Sequence, residues 1–247
     1  IEANEAEEGI DIKDSTNIQI LNSTFDENYP GIYLWNTSNV LIMNNEFEGE
    51  LESSWWGGYY LTGGGIDIDY SNNASIVNCY FDEIEYAIEI YSSNKISLEK
   101  VDMEAIAYGI DMYNVNETKI INSTLMEISD IGIDINKANN VTIENTVVCE
   151  IPWWEESGGE AISISKANQI NLINVTVHDL DWGISFNYVE NIFMRNNTLY
   201  DIDKLPFEIY GDRDEYYITH DIDESNTVEG KPIKYVRNAS NQIFKAY

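Results

Sequence analysis

A short signature, Gly or Ala followed by Ile, recurs along this chain at a nearly constant interval. It begins at Gly9, Gly31, Gly65, Ala87, Gly109, Gly132, Ala161 and Gly183. The successive spacings are 22, 34, 22, 22, 23, 29 and 22 residues. A fixed period of this size indicates a solenoid, because one unit cannot bury its apolar face alone and must stack on its neighbours. The repeat also aligns distant residues in columns, so it constrains the fold more than any other feature.

One repeat, residues 109–128, divides into three short strands. Its first part, Ile110 to Tyr113, alternates apolar and polar residues, which is typical of a half-buried strand. A polar turn follows, and the pattern predicts a second strand around Lys119 to Ile121 and a third from Thr124 to Met126. The chain is therefore predicted to be an all-β solenoid of about nine coils with three short strands in each.

Aligning the coils gives three columns of similar residues. An inward isoleucine column contains Ile10, Ile32, Ile66, Ile88, Ile110, Ile133, Ile162 and Ile184. A second inward column contains Phe25, Phe47, Phe81, Met103, Leu125, Val148, Val177 and Leu199. A turn column contains Asn22, Asn44, Asn78, Lys100, Asn122, Asn145, Asn174 and Asn196. We expect the asparagines to form an internal ladder, with each amide bonded to its neighbours above and below.

These repeats resemble those of a known class of proteins. A Gly-Ile strand followed by Asn-Ile/Val-x-Ile-x-Asn is similar to the right-handed parallel β-helix repeats of pectate-lyase-like proteins, and most of all to NosD-like surface proteins common in archaea. The segment 226–235 is similar to one that closes such domains. The resemblance implies a single-stranded right-handed parallel β-helix over residues 1–210, closed by residues 211–247 of the same domain. It says little about function, since this fold hosts lyases, hydrolases, epimerases, adhesins and spacers.

Charge and composition exclude some classes of partner. With 13 basic and 44 acidic residues the formal net charge is −31, which argues against nucleic acids and anionic membrane surfaces. No apolar run approaches the length of a membrane span, and no leader-like segment begins at Ile1. We expect an extracellular, cell-surface location. Cys79 and Cys149 fall three coils apart, or roughly 14 Å, so they are predicted to remain unpaired.

Two coils carry insertions at the same position of the repeat, residues 50–61 and 152–159. Both insertions are rich in aromatic residues, and the remaining tryptophans map to the same side of the solenoid. Exposed aromatics gathered on one side indicate a binding surface. We therefore predict an aromatic groove formed by Trp35, Trp55, Trp56, Tyr91, Tyr113, Trp153, Trp154 and Trp182. The alternative is that the two insertions fold back as lids over the solenoid.

The floor of the predicted groove carries acidic residues. Glu89, Asp111 and Asp134 occupy one outward column, and carboxylates one or two coils apart bracket the separations used by glycoside hydrolases. These three residues are the catalytic candidates if the protein is an enzyme. Oxygen ligands from Asp67, Asp69, Glu89 and Asp111 are a candidate Ca²⁺ site, although no cofactor is required. The polygalacturonase-like Gly-His-Gly and Arg-x-Lys motifs are absent.

Acidic residues alternating with aromatic rings favour a sugar polymer as ligand. The sequence therefore predicts a surface protein that binds a neutral glycan, with Ca²⁺ as a candidate aid and without chemistry of its own. Two alternatives stay open: a glycoside hydrolase, and an envelope or filament subunit that self-associates end to end or laterally. Among the Asn-x-Ser/Thr sequons, the turn sites predicted to carry glycans are Asn36, Asn73, Asn116 and Asn140, because the ladder asparagines are expected to be buried.

Overall fold

The structure is a computed structural model that describes residues 2–4, 7–53, 59–149, 159–213, 216 and 219–236. Strands account for most of these residues. In chain order they are β1 (Glu2–Asn4), β2 (Ile10–Lys13), β3 (Thr16–Leu21), β4 (Thr24–Asp26), β5 (Ile32–Trp35), β6 (Ser38–Met43), β7 (Glu46–Glu48), β8 (Leu51–Ser53), β9 (Tyr59–Asp69), β10 (Asn72–Asp82), β11 (Ile84–Tyr91), β12 (Asn94–Glu104), β13 (Ile106–Ile121), β14 (Thr124–Leu125), β15 (Ile128–Glu144), β16 (Val147–Cys149), β17 (Glu160–Ser165), β18 (Asn168–Ile173), β19 (Thr176–Asn187), β20 (Glu190–Arg195), β21 (Thr198–Tyr210), β22 (Asp221–Ile222), β23 (Thr227–Val228) and β24 (Lys231–Pro232).

The strands stack in three parallel faces, and several long strands bend around a corner to serve two of them. The first face is β2, β5, β9, β11, β13, β15, β17, β19 and β21, in that order. The second runs from β3 through β6, β10, β12, β13, β15, β18 and β20 to β22. The third runs from β1 through β4, β7, β10, β12, β14, β16, β19 and β21 to β23.

This arrangement is the predicted right-handed parallel β-helix. The eight pairings of the first face define about 8 turns, close to the predicted nine coils. One detail differs from the prediction. Strand β13 is continuous, whereas the sequence predicted separate strands on either side of a polar turn. The chain turns the corner through left-handed residues, Asn114 (φ 57°) and Glu117 (φ 53°), without losing its pairing to β15.

Both predicted inward columns are confirmed by the register. Ile66, Ile88 and Ile110 are successive partners on the first face, and all three are buried. On the third face Phe47 lies between Phe25 and Phe81, with ring centroids 4.9 and 4.6 Å apart and nearly parallel planes. Since every coil contributes the same positions, the core is one continuous apolar column along the axis.

The small residue that opens each signature is required by close packing. A Cβ added at Gly65 would lie 2.2 Å from the carbonyl oxygen of Ala87 and 2.5 Å from the Phe81 ring. Contacts this short are not tolerated, because the Ala87 carbonyl belongs to backbone that is held in the next strand. The Gly/Ala-Ile signature thus marks the place where the first face passes closest to the phenylalanine column.

The asparagine ladder exists, but the prediction that it is internal was wrong. The Asn44 amide donates to Asn22 Oδ1 at 3.2 Å, and the Asn78 amide donates to Asn44 Oδ1 at 2.9 Å, yet all three side chains are exposed. Each ladder residue adopts a left-handed conformation, as at Asn44 with φ 56°. That bend turns the ladder residue outward and the next residue inward, so that Asn45 is the buried one.

The C-terminal part of the described chain continues the coil. Strand β22 pairs with β20 and β23 pairs with β21, both in parallel, before β24 turns back antiparallel to β23. Cys79 and Cys149 are both free and buried, as predicted. Within the described ranges, no helix has the length and apolar character needed to cross a membrane.

Candidate functional site

The first face carries a line of outward carboxylates. Asp67, Glu89, Asp111 and Asp134 are successive partners in the parallel register, so their side chains project from neighbouring coils. Strands in such a stack lie about 4.8 Å apart, which brings each carboxylate next to the one above and the one below. All four side chains are half-buried. The predicted acidic column is therefore real, and its members are partly withdrawn from water.

Two rows of tyrosine flank this line. Tyr86 and Tyr108 lie on one side of Glu89 and Asp111, and Tyr91 and Tyr113 lie on the other side. We call this set of six residues the tyrosine trough. The rings of Tyr86 and Tyr108 stack at 4.8 Å, and those of Tyr91 and Tyr113 lie 6.3 Å apart. The Tyr91 hydroxyl lies 3.3 Å from both the Glu89 and the Asp111 carboxylates and donates to either.

Crowding and burial change the titration of the acidic line. Burial, followed by the charge of Glu89 and by a hydrogen bond to its carboxylate, raises the pKa of Asp67 to about 8. Burial is also the largest cause of the raised pKa values of Glu89, Asp111 and Asp134. With a pKa of about 8, the Asp67 carboxyl retains its proton at neutral pH and donates a hydrogen bond to Glu89.

The proposed calcium ligands occupy two neighbouring columns. Asp67, Glu89 and Asp111 share the acidic line, whereas Asp69 lies in the next outward column and accepts a 3.2 Å hydrogen bond from the Tyr33 hydroxyl. Among the described residues, no group of three or more His, Cys, Asp or Glu side chains is arranged to hold a metal ion. Calcium binding here stays a prediction.

A cleft of about 330 Å³ lies on the first face near its C-terminal end. We call it the C-terminal cleft; it spans β17, β19 and β21, and its lining includes Glu160, Ser163, Trp182, Ser185, Asn187 and Glu208. Trp182 is in register with Glu160 and 42% exposed, so its indole forms an open wall. The Ser185 hydroxyl donates a short hydrogen bond to Glu160 Oε1, which orients that carboxylate.

The C-terminal cleft continues the acidic line without a break. Asp134 is followed in the register by Ser163, Ser185 and then Glu208. The charge of Glu160 also contributes to the raised pKa of Asp134, which places the two carboxylates within electrostatic reach. Trough and cleft therefore belong to one surface that runs along the axis of the solenoid.

The predicted groove residues are only partly within the described ranges. Trp35 lies on β5 with its ring 6.4 Å from Tyr70, and Trp182 lies on β19. Both are on the first face, but six coil rises separate them, roughly 29 Å. Trp55, Trp56, Trp153 and Trp154 lie outside the described residues. Tyr91 and Tyr113, 36% and 37% exposed, lie where the sequence placed them.

The first insertion begins as a hairpin. Strand β8 pairs antiparallel with the start of β9, with Leu51 opposite Leu61 and Glu52 opposite Tyr60. The Tyr60 hydroxyl donates to the Glu52 carboxylate across the hairpin, and the Tyr60 side chain is 48% exposed. The described ends of the insertion, residues 51–53 and 59–61, therefore form an antiparallel strand pair that continues into the first face through β9.

The predicted glycosylation sites lie at corners of the coil. Asn36, Asn73 and Asn140 are exposed, and Asn116 is half-buried. The amide of Asn36 donates to Asp14 at 2.6 Å, and that of Asn73 donates to Asn39 at 2.9 Å. The reason given for preferring these four sites was wrong, since the ladder asparagines are exposed as well. Glycosylation itself stays a prediction.

Sequence reasoning missed the acidic residues of the C-terminal cleft. Glu160 follows the second insertion, which hid its alignment with Trp182, and Glu208 lies in a coil that lacks the Gly-Ile signature. Extending the outward column past Asp134 through Ser163 and Ser185 would have reached Glu208. The catalytic candidates Glu89, Asp111 and Asp134 do lie together, as predicted from their spacing.

Comparisons with known proteins identify the repeat. The family described as "Right handed beta helix region" matches residues 1–106 and 108–243. No curated protein sequence matches the chain.

Three solved structures illustrate the similarity in fold. The tailspike protein gp49 from Pseudomonas phage LKA1 is 12% identical, with 77% of this chain and 32% of that chain covered and a TM-score of 0.49. The A-module of mannuronan C-5 epimerase AlgE6 from Azotobacter vinelandii is 12% identical, with 87% and 64% covered and a TM-score of 0.45. PfbA, a surface adhesin of Streptococcus pneumoniae, is 11% identical, with 77% and 76% covered and a TM-score of 0.43. This chain thus spans about a third of the tailspike and less than two thirds of the epimerase module.

Proposed function

The chain belongs to the right-handed β-helix family, whose stacked coils present long flat faces, and we propose that this protein binds a glycan along its first face. The observation that carries the proposal is the tyrosine trough. Rows of rings on both sides of a carboxylate line match a sugar chain, because rings pack on the apolar faces of sugars while carboxylates accept hydroxyl hydrogen bonds.

The charge of the surface favours a glycan without acidic groups. Asp67, Glu89, Asp111 and Asp134 follow one another along the face, and the whole chain carries −31. The negative field would repel a uronate or sulfated polymer, whereas it does not repel a neutral chain. We propose a neutral glycan for the trough, and an extracellular, cell-surface location in which such a polymer is met.

The geometry of the trough suits a chain that runs along the solenoid axis. Tyr86 and Tyr91 belong to one coil and Tyr108 and Tyr113 to the next, so the same ring pair repeats on two successive coils. A polymer whose repeat length is close to the rise of one coil makes the same contacts on both coils. Calcium bound at Asp67, Asp69, Glu89 and Asp111 is an additional proposal, and hydrolysis by Glu89, Asp111 and Asp134 is the alternative proposal for the same surface.

The test is calorimetric titration of the whole chain with neutral oligosaccharides, with and without Ca²⁺. The double variant Tyr91→Ala/Tyr113→Ala removes one wall of the trough and is expected to weaken binding at least about tenfold. The pair Tyr91→Phe/Tyr113→Phe retains the rings and should retain most of the affinity. Tyr200→Ala, on the third face against His178, is the matched control for loss of a tyrosine.

Three results are informative. Binding that survives loss of both trough rings would show that the glycan lies elsewhere. Absence of binding across the neutral panel would overturn the proposal. Release of new reducing ends, abolished by Asp111→Asn, would instead support the hydrolase.

A further inference from the structure

The C-terminal cleft differs from the tyrosine trough in what it offers a ligand. Two carboxylates, Glu160 and Glu208, lie on either side of the coil that carries Trp182. The remaining polar lining is hydroxyl and amide, from Ser163, Ser185 and Asn187 among others. Within the described part of the chain, the cleft lining includes no lysine or arginine. The cleft thus joins a 42% exposed indole, near whose ring the Lys204 ammonium lies, with carboxylates that lack a basic partner among the residues lining the cleft.

Resting on the proposed glycan function, we infer that this cleft binds an amine-bearing sugar unit, with its ammonium between Glu160 and Glu208 and its ring against Trp182. A protonated amine donates charge-assisted hydrogen bonds to carboxylates, and these are about twice as strong as neutral ones. The face of an indole also attracts a cation, because its π-system carries negative potential. An acetylated amine keeps the size of the sugar but loses both interactions.

Lysines of the first face make contacts of the same kind, with their ammonium groups close to aromatic rings. Lys204 lies with its ammonium 5.7 Å from the Trp182 ring centroid and is held there by Asp181. At the opposite end of the face, Lys13 lies 5.2 Å from the Tyr33 ring and pairs with Asp11 at 2.6 Å. In both places an ammonium is held by one ring and one carboxylate.

A third lysine repeats the ring contact. The Lys137 ammonium is 4.5 Å from the Tyr113 ring centroid, at the edge of the tyrosine trough, and it donates to the Tyr113 hydroxyl. The aromatic residues of this face therefore receive an ammonium at three separate coils. The C-terminal cleft offers the same chemistry around a volume of about 330 Å³ that none of the described residues fills.

The carboxylates of the cleft are placed to act together. Ser185 donates to Glu160 Oε1, and no described residue donates to Oε2, which we assign to the ligand. Glu208 is the direct register partner of Ser185. Asp134, one coil before Glu160, adds to the negative field at the same end. An ammonium entering this field gains from several charges at once, whereas a neutral sugar gains only from packing and hydroxyl contacts.

The experiment compares a tetramer of glucosamine with free amines and a tetramer of N-acetylglucosamine, which differ only in acetylation of the amine. A tetramer of galacturonic acid serves as the acidic comparison. Calorimetry at about pH 6 and about 0.15 M salt keeps the amines charged and screens long-range attraction. We expect the amine tetramer to bind at least about tenfold more tightly than the acetylated one. Glu160→Gln and Glu208→Gln should each remove most of that difference.

The matched control is Glu190→Gln, which removes one negative charge from β20 on the second face. Gln at position 160 still accepts from Ser185, and position 208 is exposed, so both cleft variants are expected to fold. Equal affinity for the two glucosamine-type tetramers would overturn the inference and leave the glycan proposal standing. Equal loss in the cleft variants and in Glu190→Gln would assign the preference to net charge and also overturn it. Binding of no tetramer and no neutral glycan would overturn both proposals.

Discussion

Replacing Asp67 by asparagine should change how the stability of this protein depends on pH. Burial and the neighbouring Glu89 carboxylate raise the pKa of Asp67 to about 8 in the folded chain, whereas an unfolded aspartate titrates near 4. Between these values the folded state binds a proton that the unfolded chain has lost. The contribution of Asp67 to stability is therefore fully present below about pH 4 and is lost as pH rises through about 8.

The size of the effect follows from the linkage. Each pH unit within this window lowers the free energy of unfolding by about 1.4 kcal/mol, or about 4 kcal/mol between pH 5 and pH 8. Partial solvent screening of the half-buried Asp67 side chain reduces this to about 2 kcal/mol. In Asp67→Asn the introduced amide still donates to Glu89 but carries no titrating proton. The variant should therefore match the parent near pH 5 and exceed it by about 2 kcal/mol near pH 8.

Urea unfolding at several pH values between about 5 and 8 measures the difference directly. Glu190→Gln, on the second face, corrects for removing one acidic group from a chain with a net charge of −31. The quantity to follow is the change with pH in the stability difference between variant and parent. If the Asp67→Asn and parent curves stay parallel within about 0.5 kcal/mol, the folded state does not hold a proton at Asp67 across this pH range.

Three further perturbations test the packing. Phe47→Ala removes a ring stacked between neighbours at 4.9 and 4.6 Å and should lower the free energy of unfolding, measured with denaturant, by about 3–5 kcal/mol. A loss below about 1.5 kcal/mol would contradict a continuous core column. Asn44→Ala loses two ladder hydrogen bonds at a residue with φ 56° and should lower the free energy of unfolding by about 1–3 kcal/mol. Asn44→Gly should recover part of this loss, because glycine accepts the left-handed conformation. Equal stability of the two variants would argue against backbone strain at this position. Cys79 and Cys149 are buried, and burial raises the pKa of Cys149 to about 11, so a thiol reagent should label both only in denaturant; rapid labelling of the native protein would place a thiol at the surface.

Much of the fold was predictable because a repeat carries its own alignment. Ile66, Ile88 and Ile110 are spaced 22 residues apart in the sequence and are partners in the structure. In a parallel stack with alternating side chains, equal spacing places equal positions on the same face, so the columns follow from counting. The same reasoning placed Glu89 and Asp111 together without knowledge of any contact.

Counting failed where the direction of a side chain depends on the backbone at a corner. The Asn22 and Asn44 ladder was expected inside, yet the left-handed conformation of each residue turns it outward and buries Ser23 and Asn45 instead. Asparagine is common both in buried ladders and at left-handed corners, so its repetition does not distinguish them. The sign of φ at one residue decides the outcome.

The sequence alone determined the period, the register of the columns and the face on which aromatic and acidic residues gather, because each of these depends only on spacing along the chain. The tertiary structure decided which corner residues point outward, and it placed Glu160, Trp182 and Glu208 around one cleft from three successive coils. It also decided the pKa of Asp67, which is set by burial and by the nearness of Glu89. Those properties depend on distances across coils, and the second insertion shifts the spacing between coils at the point where the cleft begins.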